Sequence, residues 1–200
     1  MAIIGLSKPY YALYANTGST VTYSDGAVIG KAVELSMELE GDDANILWAD
    51  NGPAESANTF AGGSLTLTTD DLLPEPMMAI LGLTKQTITN EAVTTEGAGL
   101  IVFDDAQATP YVGFGGIIKR QVNNVPKWTA LIYPKIQFQN PGDTAVTQGE
   151  TIEWQTPQLT ANLLRDDSLT HKWRVLSTPL DTEAEAEAVI KEYLGITTTT

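Results

Sequence analysis

The stretch PYVGFGGIIKRQVNNVPKWTALIYPKIQF, Pro110 to Phe138, decides the fold. Three glycines followed by Lys119 and Arg120 resemble a phosphate cradle at first sight. A phosphate-binding loop joins a strand to a helix whose N-terminal amides face the anion. Here Gly116 is followed by β-branched residues, then Asn123-Asn124, Pro126 and a second apolar run. That order predicts two strands joined by a tight Asn-Asn turn, with no helix to receive a phosphate. Gly113, Gly115 and Gly116 then lie inside a strand, where glycine marks a bulge, a bend or the close approach of another backbone.

Working outward, the same two-residue period recurs. Ala32–Glu40 alternates Val33, Leu35, Met37 and Leu39 with Glu34, Ser36, Glu38 and Glu40. Ser64–Thr69 sets Leu65 and Leu67 against Thr66 and Thr68. Lys127–Phe138 places Trp128, Ala130, Ile132, Ile136 and Phe138 on one side, with Leu131 and Tyr133 mixed among the polar positions. Ile152 and Trp154, then Leu159, Ala161 and Leu163, extend the pattern on either side of Pro157, and His171–Leu176 predicts a last short strand. One wet and one buried face per strand is the mark of antiparallel sheets.

Two helices are expected. The first follows Leu73, with Pro74 at its first position and Gly82 as its stop; Met77, Ile80 and Leu81 share a face. The second starts at Thr182 with Glu185 three residues later, a capping box. It buries Ala186, Val189, Ile190, Tyr193 and Leu194, carries a Glu187–Lys191 pair, and ends at Gly195.

Composition narrows the function. The chain has 200 residues, 25 acids against 11 bases, a formal charge of −14 and no cysteine. This excludes thiolate chemistry and disulfides, and argues against affinity for nucleic acid, which depends on cations displacing counterions from phosphates. With 42% hydrophobic and only 18% charged residues, the chain is expected to pack a core. It carries no leader-like start and no apolar run long enough for a membrane helix, so a soluble protein is expected. The single histidine, His171, lies near Ser168 but outside any nucleophile-elbow motif. The pairs Asp42-Asp43, Asp70-Asp71, Asp104-Asp105 and Asp166-Asp167 sit at strand ends and helix starts, where aspartate serves turns and caps; none falls in a calcium-loop pattern. No catalytic residue, metal site or cofactor is expected.

Two segments look free to reach elsewhere. Residues 41–60 form a long Asp/Asn/Gly/Pro-rich loop containing Ile46, Leu47 and Trp48, and residues 1–15 form an apolar arm with Tyr10, Tyr11 and Tyr14. Trp48 is expected either to dock on a neighbour or to fold back on its own sandwich. One domain, 1–196, is expected, with 197–200 as a frayed tail.

Taken together, AIIGLSKPYYALY, GKAVELSMELEGDDANILWADNGPAES, FAGGSLTLTTDDL, TPYVGFGGIIK, NPGDTAVTQGETIEWQTPQLTANLLRDD and STPLDTEAEAEAVI resemble the major tail proteins of long-tailed, non-contractile bacteriophages of Gram-positive hosts. The resemblance spans nearly the whole chain and departs at DDLLPEP, where a polar cap would be expected in place of Leu73. It implies a mainly β fold: an antiparallel β-sandwich or partial barrel of the tail-tube type, with a flanking short helix and a C-terminal helix. It implies hexameric rings stacked into the tube that conducts DNA, in a virion assembled in the host cytoplasm. Tape-measure, tail terminator and distal tail proteins are the implied partners. The acidity suits a bore that must not grip phosphates, with Glu34, Glu38 and Glu40 as candidate lumen-facing residues. Ile46, Leu47, Trp48, Tyr10, Tyr11, Gly113 and Gly115 are candidate contacts between subunits or rings. A β-sandwich carbohydrate-binding or adhesion module is the alternative, and an acidic hydrolase a more distant one.

Overall fold

A computed structural model describes residues 2–40, 60–142, 145–147 and 154–197 in full, and the backbone of 45–49 and 52–57. In chain order the elements are β1 (Ala2–Thr17), β2 (Thr20–Val28), β3 (Ala32–Glu40), β4 (Asn45–Ala49), β5 (Gly52–Ala57) and β6 (Gly62–Thr69). Then come α1 (Pro74–Leu81), β7 (Thr84–Thr87), β8 (Gly99–Val102), β9 (Val112–Val122), β10 (Val125–Phe138), β11 (Gln158–Leu164), β12 (Val175–Leu176) and α2 (Glu183–Tyr193). The main sheet is antiparallel in the order β2-β1-β9-β10-β11-β6-β3, with β12 also pairing β10. The fold is mainly β and of sandwich type, and the sheet does not close into a barrel.

The deciding stretch is a hairpin. β9 and β10 pair from Val122↔Val125 to Leu131↔Gly116 and beyond. Asn123 and Asn124 have φ of 50° and 63°, the positive pair that a two-residue turn of the primed type requires. This turn twists in the same sense as the strands it joins.

The sheet buries both faces at its centre. One face holds the larger core, including Phe114, Leu131, Tyr133, Ile136, Leu159, Leu65 and Leu67, with Ile80 and Leu81 of α1 packed in. The other is covered by α2, whose Ala186 and Ile190, with Leu194 at its C-cap, meet Tyr10, Ala12, Ile117, Ala130 and Ile132. Each fully buried aliphatic side chain contributes roughly 1.5–3 kcal/mol relative to exposure.

This two-sided burial corrects the reading of β10. Ile132 and Ile136 do not share a face: Ile132 lies under α2 and Ile136 in the larger core. Between Tyr133↔Phe114 and Ile136↔Val112 the strand advances three residues while β9 advances two. Pro134 lies in that step; it has no N–H for the ladder, and the extra residue inverts the alternation beyond it.

The N-terminal segment is likewise no arm. β1 is an internal strand, held by β9 along Ala2–Leu13 and by β2 along Tyr10–Thr17. A bulge between Ser7 and Tyr10, with Lys8 at φ 50° and Pro9 beside it, resets its side-chain parity as well. Residues 41–60, expected to be a loop, carry the β4–β5 hairpin. Trp154, expected in a strand, lies in an irregular segment and is 85% exposed, while Ile152 lies outside the described residues. The last expected strand shrinks to Val175–Leu176.

Both helices form where the pattern put them. Leu73 stands at the N-cap of α1 with no side-chain hydrogen bond, so Pro74 and the C-terminal Gly82 at φ 67° delimit that helix. In α2 the Thr182 hydroxyl accepts from the Glu185 N–H at 3.2 Å while the Glu185 carboxylate accepts from the Thr182 N–H at 3.2 Å. Residues 198–200 of the expected tail lie outside the described residues.

Candidate interaction surface

Besides the outer side of β2, two runs of main-sheet edge that lack a partner among the described residues border one groove. β3 ends the sheet: it pairs β6 through Glu34↔Thr68, Glu38↔Ser64 and Glu40↔Gly62, and no strand hydrogen-bonds to its other side among the described residues. β1 pairs β9 from Ala2, but β2 joins it only from Tyr10, so Ala2–Ser7 has one free side. The curl of the sheet brings these edges to one groove of about 460 Å³. Its walls are Ile3 and Leu6 from β1 and Val33, Leu35 and Met37 from β3; Leu131 and Tyr133 are its buried floor. Ile3 and Val33 stand 65% and 57% exposed at the rim.

One cation lines this apolar groove. Arg174, just before β12, has its Nε buried with no hydrogen-bond partner among the described residues. Burial pushes the Tyr133 phenol up, and the Arg174 charge works against that shift. Glu34 lines the same groove, and Glu34, Glu38 and Glu40 are all exposed on β3.

Four of the other candidate contact residues are committed within the chain. Tyr10 and Tyr11 are 6% and 5% exposed, one under α2 and one in the larger core. Their expected role between subunits is corrected by the internal position of β1. Gly113 and Gly115 do permit a close approach, but by the chain's own elements. A Cβ at Gly113 would lie 2.5 Å from the Tyr23 ring and 2.7 Å from Leu194, and one at Gly115 2.5 Å from Ile190. Ile46, Leu47 and Trp48 belong to β4, whose backbone pairs β5, and their side chains lie outside the described residues.

Beneath α2, charge is fully matched. The Glu187 carboxylate accepts from Tyr10 Oη at 2.7 Å and pairs with Lys191 Nζ at 2.6 Å and with Lys8. Hydrogen bonds from Lys191, then Lys8, hold it down at about 2, far below the usual glutamate range. Ser7 Oγ donates to Glu183 at 2.7 Å, one turn earlier on the same helical face. This is a clasp between β1 and α2.

Ser168, His171 and Asp166 are joined within one loop. Ser168 Oγ donates to the buried Asp166 carboxylate at 2.7 Å, while His171 Nδ1 meets the Asp166 backbone oxygen at 3.1 Å; the two side chains serve one loop. The Lys172 and Ser168 amides also donate to Asp166. Asp70 accepts from the Lys31 and Asp71 amides and Asp104 from the Ala106 amide, the turn role expected of them. Asp42-Asp43 lies outside the described residues. No group of His, Asp and Glu suited to a metal occurs among the described residues. No protein-family model matches this chain, and no curated protein matches it.

Sequence reasoning missed Arg174 and the groove. Arg174 stands in HKWRVL between Trp173 and Val175, an arginine flanked by apolar residues, which is the only local sign of a cation drawn toward a core.

Proposed function

We propose that this chain is the tail-tube subunit of a long, non-contractile bacteriophage tail, a structural protein that assembles head to tail into stacked rings around a DNA conduit. The observation that carries the reading is the open antiparallel sheet, whose β3 edge and Ala2–Ser7 edge are unpaired and flanked by exposed Ile3 and Val33. Free edges with apolar rims are a hazard for a solitary protein and are neutralised when copies pair. Repeated heterologous contacts close into rings or run on as filaments, and a tube uses both. The formal charge of −14 suits a conduit that releases DNA. The sequence resemblance to major tail proteins points the same way, and it supplies the virion setting and the tape-measure, terminator and distal tail partners.

The test is negative-stain electron microscopy of the purified chain across a concentration series, with sedimentation velocity alongside. Annuli or tubes are the expected result. A chain that sediments as a monomer at every concentration would overturn the reading.

A further inference from the structure

We propose that the groove between Ala2–Ser7 and β3 receives an extended, acid-bearing segment of a second copy of this chain, with one of its carboxylates paired to Arg174. The proposal rests on the tail-tube reading and specifies where one subunit grips the next.

Three observations define the occupant. First, the groove is bordered by β1 and β3 where each strand lacks a partner on one side among the described residues. Six residues of β1 at about 3.3 Å each offer roughly 20 Å of free backbone, enough for a short extended segment. Second, Ile3, Leu6, Val33, Leu35 and Met37 make the walls apolar, which selects a peptide over a phosphate backbone. Third, Arg174 is a guanidinium with a buried, unpartnered Nε among these apolar side chains. A guanidinium nitrogen buried without a partner is costly until an acceptor reaches it, and a guanidinium favours a planar carboxylate. A chain with 25 acids and 11 bases supplies such carboxylates in every neighbouring copy. Glu34, on the rim, repels any segment whose acid is out of register and so helps to set it.

The experiment places a photoreactive benzoylphenylalanine at Val33. The control position is Leu169, in the loop that reaches Tyr14 through Asp167, toward the other end of β1. Under conditions where wild-type protein assembles, the Val33 probe is expected to yield a cross-link to a second copy, and the Leu169 probe little. Arg174→Glu is expected to raise the concentration for half-assembly by about tenfold or more, and Arg174→Lys by less, since lysine keeps the charge without the fork. Should Arg174→Glu fail to fold by circular dichroism, Val33→Lys at the exposed rim is read in its place, with the same expectation. If the charge variants assemble like wild type and the Val33 probe captures no second copy, the groove proposal is overturned while the tail-tube reading stands. If wild-type protein never assembles, both fall.

Discussion

Gly115 and Ile190 share one contact: a Cβ at position 115 would stand 2.5 Å from Ile190 Cγ2, closer than any ordinary carbon contact. The glycine that imitates a phosphate loop in the sequence is there so that α2 can settle onto β9. Ile190, Ala186 and Leu194 are all fully buried, so the helix has no easy direction in which to yield.

Gly115→Ala should therefore overpack this seam and cost about 1–3 kcal/mol, read as a lowered thermal midpoint. Ile190→Ala alone should cost about 2–5 kcal/mol by leaving a cavity. The double variant should lose less than the sum of the two, because the alanine methyl at 115 enters the space that Ile190 vacates. Strict additivity in the thermal data would mean the two positions do not share this contact.

Glu187 sets the acid limit of the β1–α2 clasp. Its folded carboxyl is held at about 2, below its unfolded range, so its contribution is present above the ordinary glutamate range and is lost as pH falls toward 2. Glu187→Gln should lower stability at neutral pH and flatten the decline between about pH 5 and 2. Denaturant melts at a series of pH values check this; parallel curves for variant and wild type would contradict it.

The β9–β10 turn depends on asparagine at positive φ. Asn124→Gly should be neutral or stabilising by a few tenths of a kcal/mol, and Asn124→Ala should cost about 1 kcal/mol, since alanine pays for the left-handed conformation. Equal midpoints for the two variants would show that the turn relaxes to another type.

The strip Glu34, Glu38 and Glu40 is exposed on an edge strand and makes no ion pair among the described residues. Replacing all three with glutamine should change monomer stability by under about 0.5 kcal/mol at physiological salt. At low salt the variant should gain slightly as like charges are removed. A large loss measured by thermal melting at either ionic strength would assign the strip a folding role.

Much of the architecture could be read locally. Alternation marked β3, β6, β10 and β11, the β-branched residues before Asn123-Asn124 marked β9 and its hairpin, and Thr182 with Glu185 marked the start of α2. Pro9 and three tyrosines in Met1–Ala15 resemble an irregular aromatic arm, although the segment is the strand β1. Its bulge at Ser7–Tyr10 breaks the single alternation that would have exposed it as a strand. β2 also escaped, although Gly18 at φ 62° turns β1 into it through Thr17↔Thr20. The candidate site was less legible. The acidic strip of β3 could be seen, but the groove beside it joins residues from β1, β3, β9 and β10 with Arg174, positions far apart in the chain.

The amino-acid order alone determined a mainly antiparallel β protein with two helices, a tight Asn-Asn turn, a strongly acidic balance and no thiol chemistry. Each of these follows from neighbours within a few residues or from totals over the chain. Tertiary structure alone decided that Ile132 and Ile136 face opposite cores, that Gly113 and Gly115 make room for the chain's own Tyr23 and α2, and that Arg174 meets an apolar groove. The reason is physical: one extra residue at a bulge inverts every side chain beyond it, and which edges meet depends on the curl of the whole sheet.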